Sequence, residues 1–139
     1  MTASTIYKTV AVLLVLYAAG HTLGFAHVDP AWGVDAPIAA LRTTTFTAQG
    51  ISGRTFWGFY YGFGIFCSVL LLFSAAIAWQ LGAVPASTLR NMQLASWSFV
   101  LAFAATTVVT WRWFFTAPVV FSAMITAGLV AAAALARRG

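Results

Sequence analysis

Of the residues in this chain that could carry chemistry, His21 comes first. It sits in an uncharged apolar run with Gly20 beside it and Gly24 one turn on. An ionisable side chain inside a membrane span is costly and ordinarily faces a bundle interior or a water-filled cavity, so a functional role is its default reading. The competing reading is a neutral ring hydrogen-bonded to a tyrosine or threonine across the bundle, with a packing role only. Tyr60 and Tyr61 lie about as far below the start of the second apolar run as His21 lies below the end of the first, and Thr107 falls at the same level on the third. With a tyrosine as partner, His21 could act as a general acid or base. Arg54 and Arg112 are placed to close the same end. A guanidinium holds a phosphate or carboxylate through a planar fork of donors, and Arg54 also precedes a helix start, where the helix dipole favours an anion. For both arginines, snorkelling to the interface is the competing reading. The candidate ligand-contacting set is therefore His21, Arg54, Tyr60, Tyr61, Thr107 and Arg112.

Other chemistries are weaker or excluded. His27, Asp29 and Asp35 together with His21 would suit zinc, iron or manganese. The two histidines are six residues apart, however, which is not a helical ligand pair, so solvated loop groups are the favoured reading and neither metal nor cofactor is expected. Cys67 is the only cysteine, which excludes an intrachain disulfide and a two-thiol redox centre. Glutamate is absent, and no acidic residue lies within any apolar run. Carboxylate-based proton or cation pathways usually need one there. No phosphate-binding loop, dinucleotide fingerprint, nucleophile elbow or His-Glu-x-x-His motif occurs.

The elements that must position these residues follow from composition. Of 139 residues, 62% are hydrophobic and only 6% charged, too little charge to coat a soluble domain. Spans are expected at about 6–26, 56–81, 89–110 and 117–136, each near the roughly 20 residues that cross a hydrocarbon core about 30 Å thick. Lys8 followed by an apolar stretch has the form of a cleaved signal, but the uncharged window runs on to Val28 and favours a retained span. The expected fold is all-α: one transmembrane domain over 1–139, an antiparallel four-helix bundle with a long, partly structured loop between the first two spans. In that loop, 37–42 is expected to form a turn or two of interfacial helix, and 43–53 to be irregular. Ser4 or Thr5, Ser52 or Thr55, Ser87 or Thr88, and Thr116 are expected caps, while Ala123, Ala127 and Ala131 suggest a smooth packing face.

The net charge of +5 comes from basic residues near span ends, not from a cluster suited to nucleic acid. Lys8, Arg90, Arg137 and Arg138 fall on one side, and Arg42, Arg54 and Arg112 on the other with both acids. Four against three places both termini in the cytoplasm and the long loop outside.

The stretches Gly53-Arg54-Thr55-Phe56-Trp57-Gly58-Phe59-Tyr60-Tyr61-Gly62-Phe63-Gly64, Trp113-Phe114-Phe115-Thr116-Ala117-Pro118 and Gly20-His21-Thr22-Leu23-Gly24 resemble small four-helix membrane proteins of bacteria with no assigned function. That resemblance implies a bacterial inner membrane and no particular activity. The four-span plan also looks like the sterol isomerase and sigma-2 receptor group, but the intramembrane acids on which that group depends are missing.

The functional expectation is a membrane protein that binds a lipid or other hydrophobic small molecule in the outer-leaflet half of the bundle. Two alternatives stand beside it. One is a membrane-embedded enzyme using His21 as acid or base. The other is an oligomeric structural or channel subunit associating through small residues such as Gly58 and Gly62.

Overall fold

The apolar runs form four long helices in the computed structural model, which describes residues 1–137. They are α1 (Ala3–Gly24), α3 (Phe56–Ala83), α5 (Gln93–Trp113) and α6 (Thr116–Ala136). Each is long and apolar enough to cross a membrane, yet at most 33% of its apolar window is buried within the chain. Apolar surface left exposed on that scale is the make-up of a membrane protein, since water would penalise it. Arg138, counted above among the basic residues, lies outside the described residues.

The connection from α1 to α3 is not a long loop. It holds a 3₁₀ turn at Pro30–Trp32, α2 (Asp35–Thr43), β1 (Thr45–Ala48) and β2 (Ile51–Thr55), and β2 runs directly into α3. Asp29 opens the turn by accepting the Ala31 N–H at 2.8 Å. The segment expected to be irregular is an antiparallel hairpin. Its turn has φ +51° at Gln49 and +80° at Gly50, the paired left-handed geometry of a type I′ turn that matches strand twist. Thr45 pairs with Thr55, Phe46 with Arg54, and Ala48 with Ile51. Ser52 and Gly53 therefore share one partner position, a β-bulge, and Gly53 takes it up at φ +74°.

Helix ends differ from expectation at all but one of the expected caps. Thr2, not Ser4 or Thr5, caps the start of α1, its hydroxyl accepting the Thr5 N–H at 3.2 Å. Thr55, one of the two caps expected for this helix, does cap α3 by accepting the Gly58 N–H at 3.0 Å. The third apolar run is broken: α4 (Ala86–Asn91) ends at Met92, whose φ −96° and ψ 31° leave helical geometry, and α5 begins afresh at Gln93. Ser87 and Thr88 lie inside α4, not at its cap, and Thr116 is the first residue of α6 behind an extended Phe115.

The chain divides into two compact units, Met1–Tyr17 with Leu71–Gly139, and Ala18–Leu70. In the first, Tyr7, Leu14, Ile125 and Leu129 are fully buried, and the Tyr17 and Phe121 rings stack at 5.3 Å. A Cβ on Gly128 would stand 2.7 Å from Val10 Cγ2, so glycine there sets how closely α1 meets α6. The buried face of α6 carries Ser122, Ile125, Leu129, Ala132, Ala133 and Ala136. Ala123, Ala127 and Ala131, read from sequence as the packing face, are exposed. In the second unit only Ala18, Gly64 and Ser68 are buried. Its organisation comes from aromatic contacts and from the hairpin.

Candidate functional site

Two adjoining features of the Ala18–Leu70 unit contain four of the six candidate residues. The first is a clasp between the end of α1 and the middle of α3. Ser68 Oγ lies 3.0 Å from His21 Nδ1 and 2.8 Å from Thr22 Oγ1. Each hydroxyl also has a helical carbonyl one turn back: Ala18 O at 2.7 Å from Thr22 and Gly64 O at 3.2 Å from Ser68. Two hydroxyl protons thus serve several acceptors. Either His21 donates from Nδ1 to Ser68, or Ser68 donates to His21 and gives up its carbonyl. The second arrangement is a hydroxyl held against a base, the first pair of a nucleophile relay.

Phe25 closes the clasp. Its ring stacks on His21 at 5.3 Å and tilts against Tyr61 at 5.2 Å. The Tyr60 hydroxyl donates to the Phe25 carbonyl at 2.6 Å, satisfying a backbone group just past the end of α1. Gly64 lies directly under the Phe25 ring, where a Cβ would overlap it. The structure therefore gathers His21, Tyr60 and Tyr61 around one phenylalanine. Neither tyrosine hydroxyl bonds to His21 among the described residues; the imidazole partner is Ser68. Sequence reading missed Ser68 and Phe25, although Ser68 is a buried hydroxyl in an otherwise apolar stretch of α3.

The second feature is an open groove of about 710 Å³, within the size range of small-molecule sites. One face of α3 lines it through Gly58, Phe59, Gly62, Phe63 and Phe66, and the hairpin adds Phe46, Ile51 and Arg54. The Phe46 ring lies 4.8 Å from Phe56 and 6.5 Å from Phe59, which fastens the hairpin to the helix. Arg42 of α2 sits 4.6 Å above the Trp57 ring. Added Cβ atoms show why glycine shapes the groove: one on Gly62 would meet nothing within 4 Å, so the space above it is open. Gln49, Arg54 and Thr55 provide polar lining, while Phe66 lies roughly 16 Å further along the helix axis than Thr55. The Arg54 guanidinium has no ion-pair or hydrogen-bond partner among the described residues.

Thr107 and Arg112 belong to the other unit and have local partners. Thr107 Oγ1 is 3.0 Å from Thr126 Oγ1 and, one turn on, Thr110 Oγ1 is 2.9 Å from Ser122 Oγ, so these hydroxyls stitch α5 to α6. Arg112 rests 5.5 Å from the ring of its neighbour Trp113. Asp29 is used in the 3₁₀ turn and Asp35 opens α2. No three His, Cys, Asp or Glu side chains cluster among the described residues.

No protein-family model, curated protein or solved structure matches this chain.

Proposed function

We propose that this chain is an integral membrane protein that binds a lipid or another hydrophobic small molecule in the groove between α3 and the hairpin. The observation that carries the reading is the groove itself: an aromatic trough about 710 Å³ in volume with an unpaired guanidinium at its polar end. Such a lining suits an elongated molecule with an anionic or strongly polar head, the head at Arg54 and the tail over Gly62 towards Phe66. In this reading the four long helices form an antiparallel bundle in a bacterial inner membrane, both termini are cytoplasmic, and the groove opens in the outer leaflet. The function moves away from His21, which is engaged by Ser68, and onto Arg54.

Native mass spectrometry of the gently purified protein, with extracted molecules identified, tests this. A defined molecule should be retained by the wild type and by His21→Ala. It should be lost in Gly62→Leu, which fills the groove, and held about tenfold more weakly by Arg54→Gln, the usual scale for one charge-assisted contact. Heterogeneous bulk lipid, retained equally by all four proteins, would remove the reading. If Gly62→Leu instead dissociates a dimer, the face carrying Gly58 and Gly62 is a helix-association surface.

A second reading is favoured by one contact, the 3.0 Å approach of His21 Nδ1 to Ser68 Oγ. It is a membrane-embedded enzyme with His21 as base. Turnover of a membrane ester that survives both Ser68→Ala and His21→Ala would dispose of it.

A further inference from the structure

The unit formed by Met1–Tyr17 with Leu71–Gly139 has a separate feature that the hairpin groove does not use. A furrow of about 370 Å³ runs between α1 and the C-terminal part of α3. Ala11 and Ala75, both buried, form its floor. Val12, Val15, Leu16, Leu72 and Trp79 form its walls, and each is roughly half exposed. Almost all of the lining is apolar, and it extends roughly 10 Å along α3 from Leu72 to Trp79. Small residues lie below and larger apolar ones beside, so the furrow is an apolar trough between the two helices.

Charge marks one end. Lys8 Nζ stands 5.7 Å from the centre of the Trp79 ring. Its stem is fixed as well: a Cβ on Gly82 would come within 2.9 Å of Lys8 Cγ, so glycine there makes room for the lysine to lie across α3. The Ser4 hydroxyl donates to the Gly82 carbonyl and holds the two helices at that point. Among the described residues no acidic side chain pairs with Lys8, and Asp29 is already used in the 3₁₀ turn. A held cation with an indole beneath it, next to an apolar furrow, is complementary to one class of molecule present in the surrounding membrane.

We infer that this furrow is a binding site for an anionic phospholipid, with one acyl chain along Ala11, Ala75 and Ala76 and the phosphate at Lys8 over Trp79. The ammonium gives the charge preference. The alanine floor gives the fit, and the indole sits where the interface begins. The inference rests on membrane insertion but not on the hairpin groove, and its test separates the two.

The protein is reconstituted in nanodiscs containing equal phosphatidylglycerol and phosphatidylcholine, released, and examined by native mass spectrometry for retained lipid. The wild type retains phosphatidylglycerol preferentially. Lys8→Gln lowers that preference about fivefold, Lys8→Arg restores it, and Ala76→Phe, at an exposed lining position, abolishes retention without disturbing the core. Arg54→Gln leaves it unchanged. An undiminished preference in Lys8→Gln or in Ala76→Phe overturns the inference. So does an equal loss from Arg54→Gln, which would place the retained lipid in the hairpin groove.

Discussion

The two units solve opposite packing problems with the same kinds of residue. The unit containing α5 and α6 includes every member of the buried apolar cluster, from Tyr7 on α1 to Ala136 on α6. Its glycines, Gly82 and Gly128, are filled by Lys8 and Val10. The Ala18–Leu70 unit buries only Ala18, Gly64 and Ser68. Its aromatic residues touch one another at the surface, and Gly62 faces open space. The first unit uses both of these glycines for closeness, whereas the second uses Gly64 for closeness under Phe25 and leaves Gly62 open. Stability should therefore reside mainly in the first, and capture of the hairpin-groove ligand in the second.

That contrast can be broken at its strongest point. Leu129 is fully buried, so Leu129→Ala should lose about 2–5 kcal/mol in unfolding from detergent micelles. A loss below about 1 kcal/mol would mean that this core is loose enough to collapse around the cavity. Next in size is Gly64→Ala, which drives a methyl group into the Phe25 ring and should cost about 1–3 kcal/mol. Its companion, Gly62→Ala, meets nothing and should be nearly silent. Equal costs at the two positions would contradict the described placement of Phe25.

A third prediction sharpens the comparison inside the clasp. His21→Ala removes the 3.0 Å contact to Ser68 and should cost about 1 kcal/mol, with Thr22 still able to serve the serine. In the Ser68→Ala background the same substitution should cost distinctly less, which a double-mutant cycle reads directly. Apart from the Gly62→Ala control, the smallest effect on stability belongs to Phe63→Ala. Phe63 is 55% exposed, so stability should change by under about 0.5 kcal/mol while retention of the groove ligand falls. If stability drops as far as for Leu129→Ala, the two units do not differ in the way described.

The long helices were legible because a run of some 20 uncharged apolar residues permits few other structures. The hairpin was not, for two local reasons. The usual turn signal is Asn-Gly or Asp-Gly, and Gln49 gives no such signal although it adopts φ +51° before Gly50. The bulge at Ser52 and Gly53 then shifts register, so the simple alternation that would betray β2 is lost. Within the candidate site, His21, Tyr60 and Tyr61 were legible as polar groups at one depth. Their partners were not, because Ser68 is 47 positions from His21 and only the fold brings them together. Thr107 and Arg112 were grouped with them by depth alone. Depth along a helix says nothing of which face a side chain occupies, and both are engaged within their own unit. The alanine repeat on α6 failed in the same way, since its spacing was read correctly but its face lies outward.

The Phe25 ring over Gly64 also constrains how this protein can change over generations. A larger residue at 64 is penalised while the ring is present, and a smaller residue at 25 uncovers His21 and opens a gap that glycine cannot fill. The cheaper order of change is therefore for residue 25 to shrink before residue 64 grows. Descendants caught between those steps would have an uncovered imidazole beside Ser68.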